Sequence, residues 1–289
     1  MASTLRKADL LNQFHRLLKK PVLEIVSERC THQEKAQKVN ALVNAAKAAL
    51  SPVLNEIPIN KRSDSALVLQ YCYTVVSLEY RHMVWPYEYM AFSRRIGELW
   101  EAFCSAAWDY PSKPDVARIT APEFNAVRAV LKDRLRENIG KHEKKDAVLK
   151  DIDTLFEIIG DINMREDEVF TVKGIPYVVD FKSGFGSNEK GNMLRLQTVG
   201  RAYRIWNHQT KLLLLVRQEQ NNNYLSVLRR AGLWSVLTGG AAYDQISEIT
   251  GADMQQVRRD TISWSADLSP DFYRYLRSQP SDLTSYLAW

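Results

Sequence analysis

Cysteine is scarce in this chain: Cys30, Cys72 and Cys104 are an odd number, set far apart among apolar residues of helical spacing. That excludes a disulfide framework and a zinc knuckle, and it predicts buried thiols. Long apolar runs are missing too. No stretch reaches the ~18 residues of a membrane span, and the opening MASTLRKADLLNQFHRLLKK lacks the long apolar centre of a secretory signal. A cytoplasmic protein with no membrane partner is therefore expected. His15, His32 and His82 have no His or carboxylate at the i+4 spacing of a metal-binding helix, which leaves them structural or surface roles. The glycine-rich stretch SGFGSNEKGN lacks the GxxxxGK[ST] order of a phosphate loop, so no nucleotide cofactor is expected. Repeats and low-complexity tracts are absent. A net charge of +5 and a pI near 9.0 fit a polyanionic partner, but the excess is mild for 289 residues.

What is present centres on Glu166 to Asn192. β-branched and aromatic residues crowd both sides of Lys173-Gly174, predicting a hairpin of two strands, Val169 to Val172 and Ile175 to Lys182. Period-two alternation sends Tyr177, Val179 and Phe181 to one face and Val178, Asp180 and Lys182 to the other. If Lys173 and Gly174 form the loop, Val172 pairs with Ile175, and counting outward brings Asp167 opposite Asp180. Two carboxylates and a lysine then converge. Like charges at that range repel, and a divalent cation between them relieves the repulsion. Mg²⁺ suits the donors, which are two aspartates and a strand carbonyl such as that of Phe181, with substrate phosphate completing the shell. The bland alternative is an exposed hairpin end with an Asp-Lys surface pair. Pro176 lies inside the second strand, and a one-residue slip would bring Glu168 forward as the first acid. Asp161 is a further alternate.

An acid, a turn, an apolar strand ending in Asp-x-Lys and a polar Gly-rich loop resemble the catalytic hairpin of the PD-(D/E)XK nucleases, in particular type II restriction endonucleases. The resemblance covers about thirty residues. It implies Asp167 and Asp180 as the acids and Lys182 as the helper amine, with Glu166 standing where the family's usual proline would be. Gly97-Glu98-Leu99-Trp100-Glu101 resembles the G-E-x-aromatic-E pattern on a helix beside that hairpin, which implies Glu101 as a further acid. The plain alternative is that Glu98 and Glu101 pair with Arg94 or Arg95 on a solvated helix. The implied activity is Mg²⁺-dependent, sequence-specific hydrolysis of double-stranded DNA by a homodimer, since two-fold protein symmetry matches a palindromic duplex. A structure-specific or repair nuclease of the same core and a non-catalytic nucleic-acid-binding module are the competing readings.

The implied fold is α/β, a restriction-endonuclease-like mixed sheet flanked by helices from residue 87 to 289, after a helical region at 1–86 for dimerisation or DNA clasping. Helical spacing predicts helices over about 3–20, 22–51 (after Pro21), 63–83, from near Ser93, 121–138 and 142–159. The last of these is expected to bury Val148, Ile152, Leu155, Phe156 and Ile159. After the hairpin, Ser183, Ser187, Asn188, Lys190 and Asn192 are candidates for DNA contact. Asn192 to Trp206 reads as a helix whose Arg195, Arg201 and Arg204 meet phosphates or solvent. LLLLVR reads as a strand buried on both faces, and Trp234 to Thr238 as a short edge strand. Two helices about Gly251 look superficially like a helix-turn-helix.

Overall fold

The computed structural model describes residues 5–184, 190–219 and 223–289. It is a mixed α/β protein with one five-stranded sheet flanked by helices. The chain divides into two compact units, Met1–Pro114 with Tyr243–Trp289, and Asp115–Ala242. The division thus falls elsewhere than the expected 86/87 boundary. Residues 87–114 and the C-terminal helices group with the N-terminal helices, leaving a shorter continuous sheet unit.

The first unit opens with α1 (Lys7–Ser27), α2 (His32–Leu50), α3 (Ile59–Val84) and α4 (Tyr89–Ser105). Pro21 sits inside α1 and does not end it. The carbonyl it leaves unbonded belongs to Leu17, a residue 41% exposed, where water can replace the lost bond. α2 begins with a capping box in which Thr31 and Glu34 satisfy each other's amides, which is why the chain re-enters helix there. α3 is the axis, packed by α1, α2 and α4 and apolar around most of its circumference, as a helix covered on all sides must be. Cys72 and Cys104 are buried, whereas Cys30 is only half-buried.

The second unit holds the sheet. It runs β1 (Val116–Arg118), α5 (Phe124–Ile139), α6 (Lys145–Ile159), β2 (Glu168–Val172), β3 (Ile175–Lys182), α7 (Lys190–Trp206), β4 (Lys211–Val216), α8 (Asn223–Ala231) and β5 (Ser235–Thr238). Strand order follows the sequence, antiparallel from β1 to β3 and parallel from β3 to β5. The three-residue β1 was not anticipated, and α5 starts at Phe124 rather than 121. α6 buries only Phe156 fully; Val148, Leu155 and Ile159 are exposed, contrary to expectation, because this outer helix packs mainly on α5. β4 matches its reading, with Leu212 to Val216 all buried between β3 and β5.

Val178, Leu212, Leu214 and Val216 meet Leu196, Val199 and Tyr203 of α7 in one apolar core. Gly200 belongs to this contact. A Cβ there would lie 2.7 Å from Trp234 Nε1, and that nitrogen donates to the Leu196 carbonyl at 2.8 Å.

The chain closes with α9 (Gly240–Thr250), α10 (Met254–Thr261), the short α11 (Trp264–Asp267) and α12 (Pro270–Ser278). α9 and α10 turn about Gly251, and α10 packs on α3. Asp267 binds this tail into the helical unit, accepting from Lys7 and from the Tyr71 hydroxyl, each at 2.8 Å. Among the described residues, no helix is long and apolar enough to cross a membrane.

Candidate functional site

The site grows from a two-residue turn. Lys173 and Gly174 both have positive φ, 52° and 78°, the conformation of a type I′ hairpin whose twist matches its strands. This closes β2 on β3 with Val172 opposite Ile175, the register predicted from loop length. Pro176 costs little. It faces Thr171 on one side, and the β4 pairing begins only at Tyr177, so its missing N–H removes no ladder bond on the other.

The β2–β3 ladder ends at Glu168 and Val179. Continued further, it would send the Phe181 N–H to a β2 carbonyl; instead that amide donates to Asp167 Oδ2 at 2.6 Å. A side chain thus takes over from the backbone, and this fixes Asp167 against the end of β3. Asp180 lies on the opposite face of β3 from Val179 and is only 2% exposed. Its Oδ1 is 2.5 Å from Lys182 Nζ, an ion pair in which that oxygen makes no hydrogen bond, and its Oδ2 accepts from Arg195 Nη2 at 2.5 Å. Arg195 also donates through Nη1 to Glu166 Oε1 at 2.7 Å, and Lys182 donates to the Phe181 carbonyl at 2.8 Å.

Three carboxyl groups therefore share one pocket with two cations. Burial, then a hydrogen bond and the charge of Asp180, push Glu166 up to about 8. Burial and the Asp180 charge raise Asp167, opposed by the Phe181 N–H. Burial acts against the Asp180 carboxylate as well, yet the hydrogen bond from Glu166 and the charges of Lys182 and Arg195 hold it below its ordinary value. At neutral pH the shared proton rests on Glu166, and Asp180 carries the charge. Beside them opens a cleft of about 700 Å³, walled by residues 118–125 and 161–169, with Glu166 and Asp167 in its lining.

The other candidates fall as follows. Glu168 is buried on the opposite face, opposite Val179, where Arg118 holds it at 2.7 and 2.8 Å. It cannot be the first acid in this register, because a one-residue step turns a strand side chain to the other face. Asp161 is exposed and lines the cleft. Glu101 lies on α4 in the helical unit, while Glu98 is paired with Arg94 and Arg95, as the plain reading of that helix had it. Ser183 accepts from Arg217 Nε at 3.1 Å, exposed Lys190 begins α7, and Asn192 is half-buried one turn before Leu196. Ser187 and Asn188 lie outside the described residues. Arg195 turns to the two carboxyls, not outward.

Sequence reasoning missed Glu166 as a member of the cluster, and with it the bridging position of Arg195. A signal existed: Arg195 is four residues before Val199 on α7, hence on the stripe that faces the sheet.

The donors suit Mg²⁺ chemically. They are hard oxygens, and Asp180 Oδ1 accepts no hydrogen bond although Lys182 stands 2.5 Å away. Among the described residues, no group of three His, Cys, Asp or Glu side chains stands in metal-holding geometry. Mg²⁺, which keeps several waters, needs only two carboxylates and a carbonyl. Compared with protein-family models, with curated proteins and with solved structures, the chain gives no match in any of the three.

Proposed function

We propose that this chain is a Mg²⁺-dependent endonuclease of the PD-(D/E)XK type, hydrolysing double-stranded DNA at a specific sequence as a homodimer, in the manner of a type II restriction enzyme. The observation that carries the reading is the meeting of Asp167, Asp180 and Lys182 at the end of β2 and β3, beside an open cleft. The mixed sheet flanked by helices supports the same assignment.

In this reading Asp167, Asp180 and the Phe181 carbonyl would hold the ion. When bound, Mg²⁺ lowers the pKa of a water and polarises the phosphoryl oxygen. The chain's own residues do the rest. Phe181 N–H keeps Asp167 ionisable and aimed along the strand end. The Asp180 carboxylate pins the Lys182 ammonium, which orients the attacking water and screens negative charge as it builds on the phosphate. The hydrogen bond from Glu166 and the Lys182 charge keep Asp180 ionised, in the state that a hard cation requires.

The test is incubation of supercoiled plasmid with the purified protein in Mg²⁺ or EDTA. Discrete fragments in Mg²⁺ alone are expected, and Asp180→Asn should lose at least about a hundredfold in rate while keeping the fold and DNA binding. Smearing or branch-dependent cutting would shift the assignment to a repair nuclease. Intact plasmid despite DNA binding, or full activity of Asp180→Asn, would refute hydrolysis at this site.

A further inference from the structure

Arg195 enters the acid cluster from α7, an element that belongs to neither strand of the hairpin. It does not fork onto one carboxylate, the usual arrangement of an arginine with an acid. Its two terminal nitrogens diverge, Nη2 to Asp180 Oδ2 at 2.5 Å and Nη1 to Glu166 Oε1 at 2.7 Å. A single positive group thus lies between two carboxyls and faces the charge of Asp180, which a divalent cation bound there would also face.

The three side chains are unequally held. Those of Glu166 and Asp180 are 1% and 3% exposed, whereas that of Arg195 is 39% exposed. The acids are fixed at the strand ends, and the arginine reaches them on a long stem open to water. Of the three it alone can withdraw by rotating side-chain bonds.

We propose that Arg195 is a latch on this site: anchored on Glu166, its guanidinium takes the place of the divalent cation at Asp180, and the cation binds fully only as that side chain leaves. The inference rests on the reading of Asp180 as a metal ligand. Two features make latch and ion mutually exclusive. Arg195 occupies Oδ2, one of the two oxygens that Asp180 has to offer, and the other already faces Lys182 at 2.5 Å. A dication placed at Asp180 would also stand within a few ångströms of the guanidinium, and unscreened like charges at that distance repel strongly. Latched protein therefore binds the ion with an affinity reduced by the fraction of time the latch is open. A latch closed about nine-tenths of the time costs about tenfold in apparent affinity.

The experiment is a titration of the full-length protein with Mn²⁺, a paramagnetic substitute for Mg²⁺, with free ion counted from its electron paramagnetic resonance signal. Wild type, Arg195→Met, Arg195→Lys and Asp180→Asn are compared without DNA, so no activity enters the readout. Arg195→Met should bind more tightly than wild type, by about tenfold for a latch closed about nine-tenths of the time. Arg195→Lys keeps the charge but cannot span both carboxyls, so it should fall between them, and it carries the test if Arg195→Met does not fold. Asp180→Asn should abolish the site. Equal or weaker binding by the Arg195 variants, with wild type binding at Asp180, overturns the latch and leaves the metal-site reading intact. Absence of Asp180-dependent binding in every protein overturns both.

Discussion

Glu166→Gln is the sharpest perturbation of the buried cluster, because glutamine is close in shape to the protonated acid. The Glu166 side chain is 1% exposed, and burial, with Asp180 beside it, pushes its carboxyl up to about 8 from the ordinary 4.5. Between those values the folded chain holds a proton that the unfolded chain has released, so stability falls as pH rises through the window. Each pH unit inside it costs at most about 1.4 kcal/mol, which sets about 2–4 kcal/mol between pH 5 and 8. Asp167, also raised, adds a slope of the same sign. Asp180, held low, acts elsewhere: its stabilisation is complete above its ordinary value and is lost only as acid takes the pH down through its folded value. Urea unfolding in EDTA, followed by circular dichroism at several pH values, measures the effect. Wild type should lose stability from pH 5 to 8, and Glu166→Gln should lose much less and be the more stable protein at pH 8. Parallel curves for the two proteins across that window would refute the protonated Glu166.

Three further outcomes follow from packing and pairing. Gly200→Ala should cost about 1–3 kcal/mol, read as a lowered Tm, since the new Cβ lies 2.7 Å from Trp234 Nε1 and the indole cannot retreat without losing its bond to Leu196. Arg118→Met should cost about 1–3 kcal/mol in urea unfolding by withdrawing a guanidinium from Glu168, a carboxylate whose side chain is 4% exposed. Lys173→Asn should raise stability by up to about 1 kcal/mol in the same assay, because asparagine tolerates the left-handed backbone at φ 52° better than lysine.

The hairpin was legible because its information is local. A two-residue loop with glycine at its second position sets the register, and the register alone decides that Val172 meets Ile175 and that Glu168 and Asp180 take opposite faces. The run Leu212 to Leu215 was legible as a central strand for a similar reason, since nothing polar interrupts it. The Glu166–Arg195 contact was not, because it joins residues 29 apart through the packing of a helix on a sheet. Strand periodicity also stops at Glu168, so it says nothing of where Glu166 points. β1 escaped notice because three residues carry too little pattern to distinguish a strand from a connection. Pro21 misled in the other direction: its local cost predicts a break, but the apolar stripe of Phe14, Leu18, Val22 and Ile25 continues through it and keeps α1 whole. On α6, apolar periodicity predicts burial, yet most of that stripe faces solvent.

The division of the chain also dictates an order of manufacture. Every residue of the sheet unit, Asp115 to Ala242, leaves the ribosome before Tyr243 does, so this unit can close on itself during synthesis. The helical bundle is interrupted. Lys7 and Tyr71, made early, must wait through the translation of the whole intervening unit for Asp267, their buried acidic partner. A nascent chain that has emerged from the ribosome as far as Ala242 would therefore carry the whole sheet unit and a bundle still missing its closing helices.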